Sequence, residues 1–447
     1  MKNPNREPGE PTNPSNSSNL SNLSNLSNLS NLSNPSNPSN PSNLSNLSNL
    51  SNLGRGIPLV PRFTGQGYTG AQVRDRRAWI EQQLGVTLPT VAACAIPSEQ
   101  MRGNIENPIG SVQMPLGVAG PLVVHGGHAE GAFYVPFATT EGALVRSYER
   151  GMVMLTRAGG VTARILVDEN VVCPMFSFDS VADAAAFAAR LPDHFDALKA
   201  EAEATTRHGR LTRVSARVSG RAVIVSFSYN TADAQGMNMI VKATERASEW
   251  LVASGHAPRY KIFSGMSSEK RASGFLLSGG KGKTVVAGAR IPAGVLRAYL
   301  RVTPRQLVDF WHDTVLGHLQ ANTIGFNGHY ANGLAAMFIA CGQDVANVAN
   351  AAVGVTDYEL TAEDDLYASV TLPALTVATV GGGTMLGTSA ECLAMLGCAG
   401  PGRAPKLAEI VASTLLAGDL SMAGAIVSGE FVNAHESYGR NRPLPAP

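Results

Sequence analysis

The chain has 447 residues, 44% of them hydrophobic, with 35 Lys and Arg against 34 Asp and Glu. That length allows two or three domains, and a net charge of +1 gives no electrostatic basis for a nucleic-acid partner or an acidic membrane surface. The five cysteines are scattered and odd in number, without CxxC or His-x-x-His spacing; this argues for a reducing cytosol and against a structural zinc site, and no uninterrupted apolar run reaches the roughly 18 residues of a membrane span.

Residues 1–56 are low-complexity. From 18 to 53 the triplet Ser-Asn-Leu or Ser-Asn-Pro repeats, a period that fits neither helix nor strand, and its polar composition predicts a disordered tail. The folded part begins near residue 57. Residues 69–84 read as a helix with Val73, Trp79, Ile80 and Leu84 on one apolar face. Gly and Pro at high density in 106–110 and 114–122 predict a tight loop path, followed by strands at 122–125 and 131–135. In Ala138-Thr139-Thr140-Glu141-Gly142, either threonine suits an N-cap, which puts Glu141 in the first turn of a helix running to about Thr156. Strands at 161–167 and 171–178 follow.

Residues 174–263 alternate as strand, helix, strand, strand, helix, strand, a βαββαβ pattern of the ferredoxin-like kind. Its third strand, 221–229, breaks at Asn230-Thr231-Ala232-Asp233 and resumes with helical spacing after Gly236. A strand feeding such a turn presents free backbone N–H groups to an anion, and Asp233 is placed either to cap that helix or to hold a ribose or amide group. Arg207, in the turn before the second strand, has the chemistry for a phosphate monoester. The stretch 278–284 is P-loop-like, but Leu277 stands where that motif requires glycine, which excludes nucleotide triphosphate hydrolysis. Residues 284–447 are mainly helical, at 293–300, 303–322, 328–339, 404–418 and 424–435. They are interrupted by Asp344 in an Ala-rich context, by the glycine loop 379–384 after a strand at 368–378, and by His435 near the C-terminal end.

Taken in order, these motifs resemble one family. Glu106-Asn107-Pro108-Ile109-Gly110 and the 114–122 loop, ATTEG at 138–142, DAQGMNM at 233–239, SGMSSEKRAS at 264–273, ACGQD at 340–344, TVGGGT at 379–384 and His435 are similar to the motifs of hydroxymethylglutaryl-CoA reductases of the NADPH-using, class I-like kind, over roughly residues 100–442. The resemblance implies an α/β (α+β) fold. Its large mixed helical and strand substrate domain (57–173 and 264–447) holds an inserted ferredoxin-like NADP-binding domain (174–263). It also implies a homodimer or higher homo-oligomer, and a cytoplasmic, soluble prokaryotic-type form that acts on an acyl-CoA without membrane or metal.

The family's chemistry is reduction of the thioester in two steps, giving mevalonate and free CoA. On that resemblance Lys270 stabilises the first oxyanion, His435, with an intrinsic pKa of about 6.5, protonates the leaving thiolate, and Glu141, with its pKa raised by Asp344 across a shared lysine, protonates the final alkoxide. NADPH is implied at Thr206, Arg207, His208, Asp233, Gln235, Gly236, Met237, Asn238, Met239, Val380, Gly381 and Arg440. Ser264, Glu269, Arg271 and Asn332 are the implied substrate contacts. One position departs: Val172 stands where the resemblance expects the arginine that grips the substrate's carboxylate. This raises the alternative of the same chemistry on a different acyl-CoA thioester.

Overall fold

Strand β3 (Val161–Val172) carries the architecture, because it belongs to both halves of the molecule. Thr162 to Glu169 pair antiparallel with β8 (Gly282–Ile291), and Val161 to Ala163 lie parallel to β1 (Leu116–Gly126). The last three residues, Asn170 to Val172, leave that neighbourhood and pair with β6 (Ala222–Asn230). The sequence reads as two strands here because Asp168-Glu169-Asn170 is polar. The strand continues because each polar group finds a partner: Lys283 for Asp168 at 2.7 Å, Arg213 for Glu169 at 3.0 Å, and the Gln235 carbonyl for Asn170 at 2.9 Å.

This computed structural model describes residues 58–63 and 67–431, and from Pro61 onward they belong to one unit. The low-complexity repeat, His435 and Arg440 lie outside the described residues. Ten strands among the described residues form one sheet, ordered β7 (Tyr260–Lys261), β4 (Met175–Ser177), β6, β3, β8, β10 (Leu366–Leu375) and β9 (Val355–Leu360), with β1 also beside β3, β2 (Glu130–Ala138) beside β1, and β5 (Arg210–Ser219) beside β6. The strands β4 (Met175–Ser177), β5 (Arg210–Ser219), β6 and β7 (Tyr260–Lys261) pair in the spatial order β7-β4-β6-β5, all antiparallel. Helices at Val181–Arg190, Phe195–Glu203 and Met237–Ala253 accompany them. Their apolar faces build a separate core from Val172 to Ala257, around Phe176, Phe187, Phe227 and Leu251. Val172 is fully buried in it.

The larger core packs β8, β9 (Val355–Leu360) and β10 (Leu366–Leu375) against α-helices. We number the helices used below in chain order: α1 (Gly70–Leu84), α2 (Leu144–Arg157), α3 (Met237–Ala253), α4 (Tyr330–Ala340) and α5 (Ala404–Val427). Thr69 caps α1 with a reciprocal capping box to Gln72. Helix α5 is continuous where the sequence suggests two segments. Asp419, the residue that breaks its apolar run, is buried and accepts from Thr356 Oγ1 and from the Gly328 N–H at 3.4 Å, so the polar group costs no break. Burial pushes the Asp419 carboxyl up to about 6. With a mean hydropathy of 1.7 over its best window, α5 is long and apolar enough to cross a membrane, but 83% of that window is buried inside this fold. The helix approaches α2 so closely that a Cβ on Gly151 would sit 2.0 Å from the Ala417 carbonyl oxygen, which makes glycine obligatory there.

A second buried acid fixes α5 to the sheet. Glu409, 0% exposed, accepts the N–H groups of Gly127, His128 and Ala129 at 2.9, 2.8 and 2.7 Å, closing the β1–β2 turn. Glu409→Ala leaves three N–H groups without their acceptor, the Ala129 one buried, so we expect a loss of about 1–3 kcal/mol, read as a lowered thermal midpoint. An unchanged midpoint contradicts this assignment.

Candidate active site

Glu141 does not sit in a helix. Its N–H donates to Thr139 Oγ1 at 3.0 Å, Ala143 takes a left-handed φ of +69°, and α2 starts only at Leu144. The first-turn placement expected from sequence is thus corrected: Thr139 caps a local turn, and Gly142-Ala143 redirect the chain before the helix begins. The Glu141 carboxylate is held instead by Asn332, near the start of α4, whose Nδ2 donates to both oxygens at 3.1 and 2.9 Å. A cavity of about 850 Å³ opens beside it, lined by Glu141, Arg146, Ser147, Arg150, His329 and Asn332 among others.

His329 is a residue that sequence reasoning missed. Its ring stacks on Tyr148 with centroids 4.9 Å apart, and Tyr148 donates its hydroxyl to the His329 carbonyl at 2.7 Å. Burial holds its imidazole below the usual range, with the Glu141 charge opposing that shift. The signal was available as a histidine three residues before Asn332, at the entry to a helix that begins without a side-chain cap.

The second cluster is Lys270 with Asp344. Nζ lies 2.7 Å from Oδ2, and both side chains remain partly exposed, at 45% and 36%. The expected arrangement was a lysine shared by two carboxylates. The structure divides it, giving Lys270 to Asp344 and Glu141 to Asn332. The Lys270 loop is tied at its start, where Ser264 donates from both N–H and Oγ to the Cys173 carbonyl at 3.1 and 2.7 Å. Within it, Ser268 and Lys270 hold φ of +52° and +55°. Glu269, expected at the substrate, turns inward to an ion pair with Lys281, which is fully buried, while Arg271 stays exposed.

The expected cofactor residues fall in two groups. Gly236 adopts φ +76° ahead of α3, which has no side-chain cap, so its first N–H groups are open. Gln235 has a buried Nε2 without a partner, and Asn238 is exposed. Met237 and Met239 pack against the smaller core. Asp233 is committed elsewhere: its carboxylate accepts the N–H groups of Gly402 and Ala404 at 2.7 and 3.0 Å, capping α5 rather than its own helix. Its carbonyl accepts from Thr379 and Val380, bringing the 379–384 loop against this turn. Gly381 there has φ +80° and nothing within 4 Å of a would-be Cβ, an open backbone for close ligand approach. The other group is the turn at Thr206, whose Oγ1 accepts the N–H groups of His208 and Gly209, leaving Arg207 and His208 exposed.

Comparison with known proteins gives this geometry its context. A 3-hydroxy-3-methylglutaryl-coenzyme A reductase from Methanothermobacter thermautotrophicus is 43% identical over 371 residues, covering 82% of this chain and 93% of that relative. The reductase of Methanocaldococcus jannaschii is 40% identical over 375 residues, covering 82% and 92%. Among solved structures, the class II enzyme from Streptococcus pneumoniae, bound to NADPH in open conformations, superposes with a TM-score of 0.61 at 21% identity, over 79% of this chain and 97% of that one, and this likeness speaks for the fold. These relatives leave the alternative of a different acyl-CoA without support. The family profile described as hydroxymethylglutaryl-coenzyme A reductase matches residues 72–440, and the chain belongs to that family.

Proposed function

We propose that this protein reduces hydroxymethylglutaryl-CoA to mevalonate and free CoA, consuming two NADPH and two protons. The observation that carries the reading is the pairing of Lys270 with Asp344 at 2.7 Å, on the loop between β7 and β8. The residues around α3 suit a dinucleotide: an uncapped 17-residue helix start, the unpartnered Gln235 Nε2 and the bare backbone at Gly381 offer donors for a pyrophosphate. Arg207, exposed in the turn after Thr206, is the cation we assign to the 2′-phosphate. The nicotinamide, when bound, supplies the hydride for each of the two reductions.

The chain's own residues do the rest. Lys270, aimed by Asp344, stabilises negative charge on the carbonyl oxygen as the thioester is reduced. The hemithioacetal then breaks its C–S bond, and His435 gives the departing thiolate its proton. Glu141, oriented by Asn332, protonates the alkoxide of the second reduction. The Arg146 and Arg150 guanidiniums lining the adjoining cavity suit the phosphates of a CoA. Since Val172 is buried in the smaller core, the substrate carboxylate falls to Arg271. The protein acts as a homodimer or larger homo-oligomer in the cytoplasm. Val112, Leu116 and Val118, 89%, 51% and 50% exposed, form apolar surface that a second copy would cover, and all five cysteines are free thiols.

The test is NADPH oxidation with hydroxymethylglutaryl-CoA. We expect two NADPH consumed per CoA released, with turnover abolished in Lys270→Ala; no turnover by the unmodified protein contradicts the assignment. Arg207→Ala should weaken NADPH by about 10-fold or more while leaving NADH nearly unchanged, in keeping with a lost charge-assisted contact of roughly 1.5–3 kcal/mol. Equal losses for both cofactors would contradict its role at the 2′-phosphate.

A further inference from the structure

Lys281 belongs to the P-loop-like stretch for which the sequence offers no function. Its side chain is 0% exposed and forms an ion pair with Glu269. Burying a lysine is costly unless it is paired, and an apolar side chain of similar length would fill the space without that cost. Burial pushes its ammonium down while Glu269 holds it up. The charge is therefore expected to serve something besides packing.

Its contacts suggest what. Glu269 immediately precedes Lys270, in a loop where Ser268 and Lys270 both hold positive φ, a conformation that non-glycine residues keep only when their surroundings enforce it. The Lys281 Nζ also lies 3.3 Å from Sδ of Met237, the first residue of α3. Asn170, at the point where β3 passes between lobes, reaches the same sulfur at 3.6 Å and donates to the Gln235 carbonyl at 2.9 Å. Lys281 itself sits just before β8, which spans Gly282–Ile291. One buried cation thus touches the loop carrying the reactive lysine and the first turn of the helix offered to the cofactor.

We propose that Lys281 is a positioning residue, whose buried ion pair with Glu269 fixes the Lys270 loop relative to the first turn of α3. The proposal rests on the reductase reading for its kinetic consequence, but not for its structural one. A lysine displaced by about 1 Å from its working position is enough to lower turnover roughly 100-fold.

The experiment compares full-length protein with Lys281→Met, Lys281→Arg and the double variant Lys281→Met/Glu269→Met. Each is measured for kcat, for KM toward NADPH and hydroxymethylglutaryl-CoA, for thermal midpoint, and for amide hydrogen exchange. Lys281→Met is expected to lower kcat about 100-fold with the KM toward hydroxymethylglutaryl-CoA little changed and that toward NADPH raised, and to speed exchange in 266–273 and 236–240. Arginine should restore most of the rate, whereas the double variant should recover thermal midpoint without recovering kcat. If the double variant regains both, or if Lys281→Met leaves kcat and loop exchange unchanged, the proposal is overturned. Absence of turnover in the unmodified protein refutes the reductase reading instead; faster exchange in both segments of Lys281→Met then still supports the coupling, and unchanged exchange still overturns it.

Discussion

The carboxylate of Asp233 ties the turn ahead of α3 to the start of α5, and the surroundings of both depend on it. It takes the N–H groups of Gly402 and Ala404, so a turn beside the smaller core supplies the cap for the longest helix of the larger core. A helix buried along most of its length cannot leave its terminal donors to water, and Arg403 at its own N-cap position makes no side-chain cap. The backbone of the same residue draws in Thr379 and Val380. Three segments distant in sequence therefore meet at one acid, and the opening of α3 faces the glycine loop as a result.

Around this fixed point the fold places its charges in pairs. Lys283 with Asp168 and Lys281 with Glu269, whose lysine side chains are buried and whose carboxylates are partly so, tie β8 to β3 and to the Lys270 loop. Lys270 with Asp344 is the partly exposed pair, which leaves its ammonium reachable by a substrate. Glu141 depends on a neutral amide rather than a cation, so its carboxyl is oriented by Asn332 without being neutralised by it. The more buried pairs hold geometry, and the exposed groups are the ones proposed for the chemistry.

Much of this was legible in the sequence. The βαββαβ order of 174–263 shows in its alternating patterns, and the motifs at 138–142, 264–273 and 340–344 contain the side chains proposed for the chemistry. Local pattern failed where the partner lay far along the chain. Asp233 reads as a cap for its own helix or as a ribose or amide contact, because the N–H groups it accepts are 169 and 171 residues away. Asp419 reads as a break because its satisfaction by Thr356 is equally invisible locally. Lys281 and Lys283 stand out in the sequence only as part of a failed P-loop-like run, because nothing in a stretch of Gly and Lys reports burial. Glu141 was put one turn too far into a helix because a left-handed alanine, unlike a glycine, leaves no compositional trace.

The most direct measurement is on Asp233→Ala, following thermal midpoint and NADPH affinity together. If Asp233 is the cap of α5, the midpoint falls by an amount fitting a cap loss of about 0.5–2 kcal/mol, and NADPH binding weakens with it because the turn loosens. If NADPH binding is lost while the midpoint is unchanged, Asp233 is a cofactor ligand and the start of α5 is held by something else.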